Sequence, residues 1–166
     1  MRQAAPSLRA ATPTDLAAIL ELIRGLAEYE HLAHAVVAQT EDLRAALFGP
    51  RPAAHAMLAE ADGQAVGLAL FYYTFSTFRG RANLFLEDLF VRPQWRGRGI
   101  GAALLGALAA RAVAEGCARV EWRVLDTNAP AIAFYEKLGA VPMRDWHVRQ
   151  LEGAALRALA EGADHG

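Results

Sequence analysis

The chain has 166 residues and a mass of 17.9 kDa, enough for one well-buried domain and short for two. Hydrophobic residues at 54% against 21% charged exclude an intrinsically disordered chain. With 17 basic and 18 acidic side chains, a net charge of −1, there is no overall field to hold nucleic acid or an anionic membrane. A single cysteine, Cys117, is too few for an internal disulfide or a soft-metal site and suits a reducing compartment. Residues 1–5 show no apolar signal core, and the longest apolar or glycine run, 99–110, falls short of the roughly 18 residues a membrane helix needs. One soluble, cytoplasmic domain over residues 1–166 is therefore expected, with no nucleic-acid, membrane or metal site.

In chain order, a short strand around Leu8 to Ala11 leads to Thr12, placed to cap a helix with Pro13 at its first position and Asp15 at its third. Leu16, Ile19, Leu20, Ile23, Leu26 and Ala27 recur at helical spacing, so that helix runs through about Leu32. Thr40, followed by Glu41 and Asp42, reads as the cap of a second helix ending near Gly49-Pro50. From His55 the period becomes that of strands. Ala56 to Ala61, the hairpin signal Asp62-Gly63, and Gln64 to Phe75 form a meander. The loop Ser76 to Arg81 then turns the chain into the strand Asn83 to Val91, ended by Pro93. A Gly/Arg turn, Arg96 to Gly101, feeds a helix with apolar positions Ile100, Leu104, Leu105, Leu108 and Ala112 and Gly116 as its closing residue. Arg119 to Leu125 reads as a strand, Ala129 to Leu138 as a helix closed by Gly139, Met143 to Leu151 as a last strand, and Gly153 to Glu161 as a terminal helix before a frayed end. An antiparallel first half followed by strand-helix-strand-helix-strand gives a mixed α/β class around a central sheet.

Three segments carry chemistry-bearing residues. In Arg96-Gly97-Arg98-Gly99-Ile100-Gly101, the glycines let the backbone approach a ligand, and the amides of the following helix's N-terminus suit a phosphate; a tight strand-to-helix connection with solvated arginines explains the same residues. A P-loop is excluded, because the only lysine is Lys137, inside another helix. A dinucleotide fingerprint from Gly97 through Gly99 to Ala102, with Glu121 as ribose acid, fits only in its looser form and lies past mid-chain. Glu87 and Asp88 interrupt an apolar strand. Adjacent strand residues face opposite sides, so one carboxylate can face a cleft while the other meets a partner such as Arg79 or Arg81. Tyr135 shares helical spacing with Ile132 and Leu138 and can be a packing aromatic, and Asn128 can be a simple N-cap.

Together these segments resemble the GNAT superfamily of acyl-CoA-dependent N-acetyltransferases. Arg96-x-x-Gly99-x-Gly101 is similar to its pyrophosphate-loop pattern, and Asn128 to Ala140, with Ala131, Phe134-Tyr135 and Leu138-Gly139-Ala140, is similar to its second signature. Ala27 to Glu30, Phe71 to Thr74, Leu86 to Val91 and the stretch around Trp146 resemble the diamine (spermidine/spermine) acetyltransferase subfamily.

The resemblance implies a mixed central sheet flanked by helices, with two parallel strands, Asn83 to Val91 and Arg119 to Leu125, splayed to admit acetyl-CoA as co-substrate. The loop Arg96, Gly97, Arg98, Gly99, Ile100 and Gly101 would hold the pyrophosphate. Leu89, Phe90 and Val91 would pair with the pantetheine, and Asn128 would bond the cofactor or the loop beside it. A small-molecule amine, polyamine, diamine or lysine-like, would attack the thioester directly in a ternary complex. Glu87 would take its proton and Tyr135 would protonate the thiolate, while Tyr29, Glu30, Glu87 and Asp88 would bind the cationic substrate. Ala33, His34 and Ser76 stand where the subfamily carries further acids, which weakens attraction for a tri- or tetra-amine and brings a smaller amine level with spermidine. A homodimer is expected from the subfamily and from the aromatic run Phe71 to Phe78. Two alternatives stay open: a non-catalytic acyl-CoA sensor, and an acetyltransferase for a protein amine.

Overall fold

The fold was taken from a computed structural model, which describes residues 6–163. The stretch 1–5 and residues 164–166 of the expected frayed end lie outside it. The described chain divides into two compact units, one up to Arg123 and one from Val124.

In the first unit, five strands form one sheet in sequence order: β1 (Ser7–Ala10), β2 (His55–Ala61), β3 (Gln64–Ser76), β4 (Arg81–Val91) and β5 (Val120–Trp122). The first three junctions are antiparallel and β4–β5 is parallel. Asp62 and Gly63 close the β2–β3 hairpin with φ of 50° and 72°, the left-handed pair that matches the twist of the flanking strands.

Helices cover both faces. A 3₁₀ turn, Pro13–Asp15, opens helix α1 (Leu16–Tyr29). Asp15 organises this junction. Its carboxylate accepts from the Thr12 amide at 2.7 Å and from Arg9 Nη1 and Nη2 at 2.8 and 2.9 Å, and the Arg9 guanidinium holds it well below the usual carboxylate range. Helix α1 ends at Tyr29, three residues before the expected Leu32. His31 turns left-handed at φ 61°, and the Leu32 amide reaches back to the Ala27 carbonyl at 2.7 Å, a closure that removes the following residues from the helix. In α2 (Thr40–Phe48) the cap is Gln39 and not Thr40. The Gln39 amide donates to Asp42 Oδ2 at 2.8 Å, so the acid three residues on selects the start.

Leu16, Ile19, Leu20 and Leu22 of α1 and Leu43 and Leu47 of α2 bury against Leu58, Leu68, Leu70 and Phe90 of the sheet. On the opposite face lies α3 (Ile100–Ala114), closed at Gly116 as its spacing predicts, with the Cys117 amide bonded to the Ala112 carbonyl at 2.8 Å. It approaches the sheet over Gly67, where an added Cβ would lie 3.2 Å from Leu104 Cδ1 and 3.3 Å from Ile100 Cγ2.

The second unit contains α4 (Ala129–Lys137) and α5 (Gly153–Ala163). Two sequence expectations fail along the chain's last third. The strand expected over Arg119 to Leu125 is confined to Val120–Trp122, and Met143 to Leu151 is irregular. There the Trp146 amide turns back to the Met143 carbonyl at 3.2 Å, and Trp146 and Val148 are 70% and 66% exposed. Apolar alternation makes a strand only where a ladder partner and a buried face are supplied, and this segment has neither among the described residues.

Candidate active site

The parallel ladder between β4 and β5 is short. It runs from Leu84↔Val120 to Leu86↔Trp122, while β4 continues to Val91. Beyond Leu86, then, β4 keeps its antiparallel partner β3 and has no strand partner on its other edge among the described residues. Leu89, Phe90 and Val91 form that edge.

Just past its end lies the glycine loop. A 3₁₀ turn, Pro93–Trp95, is followed by Arg96, then Gly97 and Gly99 at φ 73° and 78°, a region that side chains rarely enter. An added Cβ at either glycine would meet no atom within 4 Å, so neither is required for packing inside the chain; the left-handed backbone calls for both. Gly99 is the N-cap of α3 and no side chain caps it, which leaves the first-turn amides of Ile100, Gly101 and Ala102 pointing out with the positive end of the helix dipole. The arginine side chains brace this loop. Arg96 Nε donates to the Val91 carbonyl at 3.0 Å, its guanidinium 4.5 Å from the Tyr29 ring centre, and Arg98 Nη2 donates to the Gln94 carbonyl at 3.2 Å over the Trp95 ring.

The carboxylates correct the sequence reading. Strand alternation puts Glu87 and Asp88 on opposite sides, but the β3–β4 register shifts between Leu70 and Phe71. Leu70 faces Asp88 and Phe71 faces Leu86, leaving Glu87 as the extra residue of a β-bulge. Asp88 thereby shares the α1 face with its partner Leu70, a member of the α1 core cluster. Glu87 points the same way, since it accepts from the hydroxyl of Tyr72, two residues along β3 from Leu70, at 3.2 Å. Its partner is neither Arg79 nor Arg81. Arg123, just beyond β5, places Nη2 3.0 Å from both Glu87 oxygens, its guanidinium 5.4 Å from the Phe85 ring centre.

The two acids thus have different surroundings. Asp88 is mostly buried, and burial, reinforced by the negative charges of Glu87 and Glu30, pushes its carboxyl up to about 6 against the opposing pull of Arg123. Burial also raises Glu30, at the C-terminal end of α1. The structure therefore gathers Glu30, Glu87 and Asp88 into one field, with Tyr29 beside Arg96. Sequence reasoning missed Tyr72 and Arg123 as members of this group; their signal is a shared face on neighbouring strands, which requires the register.

Glu121, the candidate ribose acid, lies instead in β5, bonded by Asn83 Nδ2 at 3.0 Å and Arg119 at 2.8 Å. In the second unit, Asn128 Oδ1 accepts from the Ala131 amide at 3.3 Å and caps α4, and Tyr135 stands in that helix with its ring 5.2 Å from Phe134. Among the described residues no three His, Cys, Asp or Glu side chains gather as a metal site, and no helix is long and apolar enough to cross a membrane.

The family model described as Acetyltransferase (GNAT) family matches residues 17–140. The chain belongs to the GNAT family of acetyltransferases. Among curated GNAT relatives, the thialysine N-epsilon-acetyltransferase of Bos taurus is 41% identical, the match covering 92% of this chain and 96% of that protein. The L-ornithine N5-acetyltransferase of Arabidopsis thaliana is 32% identical over 92% of this chain and 86% of its own. A solved integron cassette protein from the mobile metagenome of V. cholerae superposes with a TM-score of 0.80 at 25% identity, covering 95% of this chain and 99% of that one. The GNAT match includes the β4 edge, the glycine loop, α3 and the Asn128 to Ala140 signature. The protein is a GNAT N-acetyltransferase with a mixed five-stranded sheet flanked by helices.

Proposed function

We propose that this enzyme transfers the acetyl group of acetyl-CoA to a primary amine of a small molecule, within a ternary complex and as a homodimer. The observation that carries the reading is the pairing, in one unit, of an uncapped helix N-terminus behind two left-handed glycines with a field of three carboxylates on the same β4 strand's bulged segment and the adjoining end of α1. The loop suits a pyrophosphate: its glycines leave open space, and the first-turn amides of Ile100 and Gly101 supply donors. The edge at Leu89, Phe90 and Val91, where the Val91 carbonyl already accepts from Arg96 Nε, offers its remaining backbone groups to an extended pantetheine. Bound acetyl-CoA supplies the activated acyl carbon.

An alkylammonium, whose ordinary pKa is about 10, must lose a proton before its nitrogen can attack. Of the two neighbouring acids, Asp88 is the better acceptor. Glu87 already receives hydrogen bonds from Arg123 and Tyr72, whereas burial pushes the Asp88 carboxyl up to about 6, closer to the amine it must deprotonate. Glu87 and Glu30 then hold the cation, with Tyr29 at the mouth. The amine nitrogen forms the new C–N bond as the C–S bond breaks, and Tyr135, matching the family signature, gives its hydroxyl proton to the departing sulfur. The names of the thialysine and ornithine relatives favour an amino-acid amine over a protein amine.

The test is CoA thiol release from acetyl-CoA across lysine, ornithine, thialysine, diamines and polyamines, for the wild type and Tyr135→Phe. Turnover with at least one amine, reduced 10²- to 10⁴-fold by Tyr135→Phe with little change in KM for acetyl-CoA, is expected. Acetyl-CoA binding without turnover of any of these amines would overturn the small-molecule reading and leave the sensor and the protein-amine acetyltransferase, which a lysine-containing peptide then separates.

A further inference from the structure

We propose that the Arg123–Glu87 ion pair is a receptor for the α-amino-acid head group of the substrate, with Arg123 as the residue that selects an amino-acid amine over a polyamine; this rests on the amine-acetyltransferase reading above. A site that took only polycations would gain from every acid it could keep unpaired. Here one of the three acids is matched by a guanidinium. Arg123 uses a single nitrogen, Nη2, for both contacts to Glu87, at 3.0 Å each. Its Nε and Nη1 have no hydrogen-bond acceptor among the described residues. The side chain is 54% exposed and that of Glu87 38%, so the pair stands at the surface of the acid field. Phe85 lies beneath the guanidinium at 5.4 Å and limits its swing.

A zwitterionic head is the complement of such a pair. Its carboxylate would accept from the planar fork of Arg123 and its α-ammonium would donate to Glu87, which leaves the amine at the far end of the side chain for the more buried Asp88 of the same acid field. A diamine or polyamine has the same amines and no carboxylate. It would set a second positive charge against Arg123 and leave the guanidinium without its anion, a double penalty of the kind that gives large discrimination when a polar seat is left empty. Arg123 touches neither the reacting nitrogen nor the thioester in this arrangement, so its discrimination between amines falls on KM; losing its pull on Asp88 raises that carboxyl equally for both members of a substrate pair and leaves their ratio to read the head group.

The experiment uses substrates that differ by the carboxylate alone: lysine against cadaverine, and ornithine against putrescine. The wild type is expected to prefer the carboxylated member of each pair by at least about 10-fold in kcat/KM. Arg123→Gln is expected to collapse that preference 10-fold or more through KM for the amino acid, with KM for acetyl-CoA unchanged, and Arg123→Lys to fall between the two, because it keeps the charge and loses the fork. A substrate-side measurement covers failure of a variant to fold: lysinamide, which lacks the carboxylate charge, should be a poorer substrate than lysine for the wild type by a similar factor. Equal kcat/KM for lysine, lysinamide and cadaverine, or an unchanged ratio in Arg123→Gln, overturns this proposal while leaving the acetyltransferase reading standing. Absence of turnover with every amine overturns both.

Discussion

Asp88 sits where stability and chemistry pull in opposite directions. Its carboxyl titrates near 6 in the folded chain against 3.8 in an unfolded one, chiefly through burial and then through Glu87 and Glu30. The folded state therefore holds the proton more tightly. The stabilising contribution is complete below pH 3.8 and is lost as pH rises through about 6, by an amount on the order of 2–3 kcal/mol. Asn at this position resembles the protonated acid at every pH. Asp88→Asn is accordingly expected to match the wild type in Tm near pH 3.5 and to exceed it above pH 7, while kcat falls 10²-fold or more. Thermal melts across pH 3.5 to 8 check the first part, and a Tm difference that does not vary with pH would remove the burial argument. In the wild type, kcat/KM should rise with pH through a limb near 6, and this limb should vanish in the variant if Asp88 is the proton acceptor.

The elements around the site divide cleanly into locally and remotely specified ones. The N-terminus of α3 is local: Gly99 is left-handed at φ 78° and caps the helix with no side chain of its own. Asn and Asp tolerate that conformation better than other residues with a Cβ and have nearly the same shape, so the pair Gly99→Asn and Gly99→Asp separates backbone strain from charge. Both should lose some stability to a similar degree, but Gly99→Asp is expected to weaken acetyl-CoA at least about 10-fold more, because a carboxylate there repels the pyrophosphate. Equal affinities of the two folded variants by calorimetry would place the pyrophosphate elsewhere. The β4 bulge is remote by contrast. Nothing in Leu86-Glu87-Asp88-Leu89 marks Glu87 as the extra residue; the shift exists only against Leu70 and Phe71 of β3. The end of α1 falls between these cases. The left-handed His31 and the Leu32 to Ala27 bond are local geometry, but the residue type at position 31 does not announce it as glycine does at 116 and 139, so the apolar period overran the helix to Leu32.

At the scale of the molecule, the aromatic run read as an interface splits. Phe71 is 1% exposed and belongs to the core, whereas Phe75 and Phe78, toward the tip of the β3–β4 hairpin, are 65% and 92% exposed. Large apolar side chains at such exposure are what a dimer contact through the hairpin tip would bury. Sedimentation at micromolar concentration is expected to give a species of twice 17.9 kDa and Phe78→Asp a species of 17.9 kDa; a wild type that sediments as the single chain ends the dimer proposal. Length, composition, the glycine loop, the Asn128 to Ala140 signature, most helix ends and the hairpin at Asp62-Gly63 were determined by the sequence itself. Each rests on interactions among residues a few positions apart, or on backbone conformations open mainly to glycine. Tertiary structure alone decided that Glu87 and Asp88 share a face, that Arg123 and not Arg79 or Arg81 pairs with Glu87, that burial raises the Asp88 carboxyl and that Met143 to Leu151 forms no strand. These depend on ladder register and burial, where one extra residue reverses the side a chain presents and where the energy of a charge is set by groups brought from distant parts of the sequence.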